Sequence, residues 1–167
     1  VQIHGAHGYL VSQFLSPLHN QRQDRWGGSL EKRAHFVLEI LKAIRAEVGA
    51  QFPVGIKMNS ADFQRGGFTE DESMVVAEML ADGGLDLLEI SGGTYESPEM
   101  TGKNVRESAR QREAYFLRYA EQIRDRVKTP LMVTGGFRTS EGMADAVSSG
   151  AADIVGLARA LAIDPDI

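Results

Sequence analysis

Three features of this chain predict an α/β fold built on a parallel (β/α)8 barrel, the TIM barrel. Short apolar strands alternate with amphipathic helices along all 167 residues, as expected for a parallel sheet with helices on its outside. Each glycine or polar cluster (His4 to Tyr9, Lys57 to Ser60, Ser91 to Thr94, Gly135-Gly136, Gly156 to Arg159) falls at the C-terminal end of a strand, the face on which barrels build their active sites. No G-x-G-x-x-G follows a strand, which disfavours the doubly wound alternative. Five strands with four helices are about half a barrel, since a complete one takes roughly 250 residues.

The elements follow in order. Val1-Gln2-Ile3 opens a strand that ends at His4, and a polar loop runs through Asn20-Gln21-Arg22-Gln23-Asp24-Arg25-Trp26-Gly27-Gly28. Ser29 is placed to cap a helix, with Glu31 in its first turn. Phe36, Val37, Ile40, Leu41 and Ile44 recur at three and four, so that helix runs to about Val48, where Gly49 ends it. Residues Pro53 to Met58 form the second strand, and Thr69-Glu70-Asp71-Glu72 is a capping box for a helix ending near Gly83-Gly84. Asp86 to Ser91 is the third strand. A long loop to about Gln111 precedes a helix from Glu113 to Val127, and Pro130 to Thr134 is the fourth strand. Thr139 or Ser140 caps a short helix to Ser149, and Ala152 to Leu157 is the fifth strand. The chain starts inside strand-like alternation and stops at Asp164-Pro165-Asp166-Ile167 without a closing helix. A partial domain over 1–167, cut at both ends, is therefore expected.

Composition narrows the function. The net charge of −5, with signs interspersed, lacks the basic face that nucleic-acid binding needs. No apolar run approaches about 18 residues and no signal-peptide pattern is present, so no membrane association is expected and the location expected is cytoplasmic. The absence of cysteine excludes disulfides, thiolate metal sites and cysteine nucleophiles within these residues.

Chemistry concentrates in His4-Gly5-Ala6-His7-Gly8-Tyr9. Residues three apart on a strand face opposite ways, so His4 and His7 can share a ligand only if the chain leaves the extended conformation just after His4, which Gly5 and Gly8 permit. Two ring N–H groups could then grip one oxygen while the Tyr9 phenol hands over a proton. No metal is expected, because a catalytic zinc site needs a third protein ligand and no H-E-x-x-H helix occurs. At the other end, Gly135-Gly136 after the fourth strand and Gly156-Leu157-Ala158-Arg159 after the fifth have the composition of a barrel phosphate site. Backbone N–H groups approach the oxygens, helix starts add a favourable partial charge, and Arg159 supplies the counter-charge. Arg22, Asp24, Trp26 and Arg33 are read as holding the long loop rather than touching chemistry.

These motifs carry a resemblance. His4-Gly-Ala-His7-Gly-Tyr9-Leu, then Gln13-Phe14-Leu15-Ser16-Pro17, then Asn20-Gln21-Arg22-x-Asp24-x-x-Gly27-Gly28-Ser29-x-Glu31-x-Arg33 resemble the Old Yellow Enzyme family of FMN-dependent oxidoreductases. The similarity runs over essentially the whole chain, from the family's fourth barrel strand to its eighth. His7, which other branches replace with Asn, and Glu89-Ile-Ser-Gly-Gly-Thr94 point to the branch with bacterial ene-reductases and 2,4-dienoyl-CoA reductases.

The resemblance implies an enzyme in which FMN, reduced by NADH or NADPH, delivers hydride to an activated C=C bond of a small-molecule substrate. His4 and His7 would bind the substrate oxygen and Tyr9 would donate the proton. Lys57 would stand against the flavin pyrimidine, and Gly135, Gly136, Gly156, Ala158 and Arg159 would hold the cofactor phosphate. Ala158 stands where many relatives have Gly. Two alternatives stay open: a different phosphate-binding barrel, an aldolase or synthase with Lys57 as a Schiff-base lysine, or a half-barrel inert by itself. The family's remaining flavin contacts come from earlier strands, so residues 1–167 alone are expected to bind FMN weakly or not at all. Exposed apolar sheet edges would favour self-association into a homo-oligomer.

Overall fold

The computed structural model describes residues 1–97 and 114–167. Five strands form one sheet in the order of the sequence: β1 (Gln2–Gly5), β2 (Gly55–Asn59), β3 (Leu87–Ser91), β4 (Leu131–Thr134) and β5 (Ile154–Gly156). Every adjacent pair is parallel. A doubly wound sheet reverses its strand order at a switch point, and this one does not, so the topology is that of a barrel wall.

Six helices accompany the strands among the described residues: α1 (Leu10–Leu15), α2 (Leu30–Val48), α3 (Glu70–Asp82), α4 (Leu117–Arg124), α5 (Ser140–Ser148) and α6 (Arg159–Ile163). The caps explain most of their starts. Thr69 and Glu72 form the reciprocal capping box, and the Thr139 hydroxyl accepts from the Gly142 N–H. Ser29 holds the N-cap position of α2 without its hydroxyl bonding the helix, and Gly49 closes that helix at φ 81°. Two helices differ from expectation. The turn α1 stands where loop is expected, and α6 follows β5 where no closing helix is expected. A third, α4, begins at Leu117 rather than Glu113, with Ala114 at φ 61° before it; residues 98–113 lie outside the described residues.

The strand period of two separates the two faces of the sheet. Ile3, Ile56, Met58, Leu88, Ile90, Leu131 and Val133 are buried in a single core with Val37 and Leu41 of α2, Val76 and Leu80 of α3, and Ile123 of α4. Each fully buried Leu, Ile or Val there contributes about 1.5–3 kcal/mol. Opposite that core, the face carrying Gln2, His4, Lys57 and Glu89 is left for polar groups.

At the N-terminal edge one device occurs twice. Asp86, just before β3, accepts from the Val54 N–H at 2.7 Å and pairs with Arg45 near the end of α2. Asp153, just before β5, accepts from the Leu131 N–H at 2.7 Å and pairs with Arg124 of α4 at 2.5 Å. The backbone N–H is the larger cause, and the arginine the next, of the lowered pKa of each carboxyl. Both ties join a helix end to two strand starts, on the barrel face that serves stability. No described helix is long and apolar enough to cross a membrane.

Candidate active site

Pairing register assembles the site. His4 lies opposite Lys57, Lys57 opposite Glu89, and Glu89 opposite Met132. The extended conformation persists to Gly5 rather than breaking after His4, because Gly5 packs closely on β2: a Cβ there would lie 3.0 Å from Ile56 Cδ1. The bend comes later, at His7 (φ 63°) and Gly8 (φ 81°). A left-handed backbone costs a non-glycine residue about 1–2 kcal/mol. Here Asn59 secures it: its Oδ1 accepts from the His7 N–H at 3.1 Å, and its amide donates to Asp62 and to the Gly93 carbonyl.

The bend returns His7 to the side of His4, their ring centroids 5.5 Å apart, with the Tyr9 ring 5.1 Å from His4. His7 Nε2 lies 2.8 Å from Ser91 Oγ, and the Tyr9 hydroxyl shares a hydrogen bond with that of Tyr95. Burial first, then the Lys57 charge and His4, push the His7 imidazole down to about 4, with Glu89 opposing. Burial and Lys57 also lower His4. At neutral pH the pair is uncharged.

A pH dependence follows. The unfolded chain binds a proton at this imidazole near the ordinary 6.5 and the folded chain only near 4, so stability should fall as pH drops through that window. His7→Asn removes the titration and is expected to flatten that part of the curve. Urea midpoints of the full-length protein across the window test it; an unchanged slope would assign the loss to other groups.

Lys57 Nζ lies 2.8 Å from Glu89 Oε1, and the other carboxylate oxygen accepts from Gln2 Nε2 at 2.6 Å. Burial would raise the Glu89 pKa, but Lys57 first, then Thr134 and Gln2, hold it below its ordinary value.

Next to this row a cavity of about 340 Å³ opens at the C-terminal strand ends. Its walls include His7, Lys57, Gly135, Gly136, Gly156, Ala158 and Arg159. The glycines are required there. Gly135 (φ 122°) and Gly136 (φ 91°) occupy backbone conformations that side chains rarely adopt, and a Cβ on Gly156 would sit 1.8 Å from Thr134 Oγ1. Ala158, at φ −141° and ψ −74°, lies outside both the helical and the extended backbone regions. A cradle that a Cβ would fill, with Arg159 beside it, fits the phosphate of a bound cofactor. Gly156→Ala is expected to cost about 1–3 kcal/mol through overpacking and to lower the cofactor content of the purified full-length protein. Wild-type stability and content in that variant would show that the crowding is relieved by a rotamer change.

The sequence reading gives no site role to several neighbours. Ser91, Tyr115, Thr134 and Arg138 also line the cavity, and Tyr95 meets Tyr9 from the loop after β3. Glu89 carries a usable signal, a charge inside the apolar run Leu87 to Ile90; Tyr115 and Tyr95 carry none, since loop conformation brings them in. The loop residues behave as expected of a clamp. Arg22 pairs with Asp24, and that hydrogen bond is the main reason the Asp24 carboxyl titrates at about 2. Arg33 bonds elsewhere, to Leu15, Gly28 and Glu72.

A parallel barrel wall with its polar groups and glycine cradle at the C-terminal strand ends defines a barrel enzyme. The chain belongs to the NADH:flavin oxidoreductase / NADH oxidase family, whose profile matches residues 1–167. It is 42% identical to the NADH-dependent flavin oxidoreductase iccE of Talaromyces variabilis over 99% of this chain and 41% of that protein. It is 36% identical to an NADH oxidase of Thermoanaerobacter brockii, over 99% of this chain and 25% of that protein. The chain thus spans less than half the length of these relatives. Among solved structures, a 2-naphthoyl-CoA reductase bound to 2-naphthoyl-CoA superposes with a TM-score of 0.89 at 35% identity, covering 99% of this chain and 24% of that one. An old yellow enzyme homologue of Zymomonas mobilis shares the fold, with a TM-score of 0.74 at 23% identity over 99% of this chain and 44% of that one.

Proposed function

We propose that the protein containing this chain is an FMN-dependent ene-reductase, which uses NADH or NADPH to reduce an electron-poor C=C bond conjugated to a carbonyl. One observation carries the proposal: seven residues assigned from sequence to substrate oxygen, flavin ring and phosphate border a single cavity, with His4 beside His7 and Tyr9 beside His4. The naphthoyl-CoA reductase among the similar structures is consistent with a conjugated acyl substrate.

When bound, reduced FMN supplies the hydride. Gly135, Gly136, Gly156, Ala158 and Arg159 hold its phosphate, and Lys57 supplies positive charge toward its ring. His4 and His7, neutral at working pH, direct N–H groups at the substrate oxygen, where negative charge grows as hydride adds to the far carbon. Tyr9 delivers the proton to the carbon next to the carbonyl. Its hydrogen bond to Tyr95 is the main cause of a raised pKa, which keeps that proton in place until it is needed.

The Schiff-base alternative requires a free lone pair on the Lys57 amine. The ion pair with Glu89 works against it. The deciding experiment is the visible spectrum of the purified full-length protein, followed by NAD(P)H-dependent reduction of a conjugated enone or enoyl thioester. Bound flavin and alkene reduction are expected; a protein that neither carries nor takes up FMN defeats the proposal.

A further inference from the structure

Glu89 has no part in the chemistry above, yet it is a carboxylate only 5% exposed, set on the cavity side of the sheet. A buried ion pair is a poor device for stability, since apolar packing of the same volume usually does as well. Its placement points elsewhere. Glu89 pairs in register with Lys57 across β2 and β3, one carboxylate oxygen accepts from Lys57 Nζ at 2.8 Å, and the other accepts from Gln2 Nε2 at 2.6 Å. The carboxylate is thereby fixed from two strands, and the ammonium with it. Lys57 borders the cavity and Glu89 sits behind it. A negative charge 2.8 Å from the ammonium nitrogen cancels part of the field that the ammonium projects into the cavity. The same charge acts on both imidazoles, raising His4 and His7 against the pull of Lys57.

We propose that Glu89 is a positioning residue that fixes the Lys57 ammonium and attenuates the positive charge presented to the flavin ring, so that it lowers the flavin reduction potential. The inference rests on the flavin proposal above. A reduced flavin carries more negative charge than an oxidised one, so a more positive surrounding favours reduction. Removing the Glu89 charge while Lys57 stays should therefore raise the potential. A purely structural anchor gives the opposite sign, because a released ammonium drifts off and the potential falls.

The test is the midpoint potential of the flavin in the full-length holoprotein, wild type against Glu89→Gln, at one pH. The expected result is about tenfold tighter holding of reduced over oxidised flavin, a rise of about 30 mV for a two-electron couple. Should Glu89→Gln not fold, Glu89→Asp, which withdraws the carboxylate by one methylene, should give a smaller rise. In the flavin-free full-length protein, NMR titration of His4 and His7 in the same variant should show both pKa values falling further. An unchanged or lowered potential in a flavin-loaded variant overturns the inference and leaves the flavin proposal standing. A wild-type protein that cannot hold flavin defeats both.

Discussion

Tyr9→Phe is expected to slow alkene reduction by about 10²–10⁴-fold, the usual contribution of a positioned general acid, while flavin reduction by NAD(P)H keeps most of its rate. The phenol stands beside His4, ring centroids 5.1 Å apart, on the turn that brings His7 back to the site, so it lies one short reach from an oxygen held by the two imidazoles. Phenylalanine keeps the ring and removes the hydroxyl, and with it the transferable proton and the hydrogen bond to Tyr95. Packing should survive, since Tyr9 is 46% exposed and opens helix α1 through its backbone. Stopped-flow measurement of the two half-reactions in the full-length protein separates them. Equal slowing of both would contradict the proton-donor role.

Arg33→Ala is expected to cost about 1–3 kcal/mol of stability, the range for leaving buried hydrogen-bond partners unsatisfied. The residue lies on α2, yet its guanidinium is buried and serves three other segments. It bonds the Leu15 carbonyl at the end of α1, the Gly28 carbonyl at 3.2 Å and the Glu72 carboxylate at 2.5 Å. Glu72 also completes the capping box of α3, so the same change loosens a helix start. Urea unfolding of the full-length protein gives the number. A loss under about 1 kcal/mol would mean that water replaces all three contacts and that the loop is not clamped here.

How much the sequence discloses depends on the range of the interaction concerned. The strands, the long helix α2 and the capping box at Thr69 are readable because their causes lie within a few residues: apolar period, cap hydroxyl, terminal glycine. Helix α1 is not. Its six residues are too few to show a period, and what holds them is a Ser12 hydroxyl accepting from the Gly8 N–H at 3.0 Å, together with Val11 and Leu15 buried in the core. The five-residue α6 is hidden for the same reason of length. The bend between His4 and His7 is foreseeable in outcome and misplaced in cause. Glycine suggests a break after His4, whereas the side-chain Oδ1 of the distant Asn59 holds His7 itself in the left-handed region.

The residue string alone determined the alternation of strand and helix, the helix caps, and a set of imidazoles, phenol, lysine and glycines at strand ends, since each is a local matter of period, capping and backbone freedom. Only the folded sheet decided that Lys57 meets Glu89, that Ser91 meets His7, and that Tyr95 meets Tyr9. Those partners are tens of residues apart: parallel register sets Lys57 opposite Glu89, while the turn at His7 and Gly8 and the loop after β3 bring the other two pairs together.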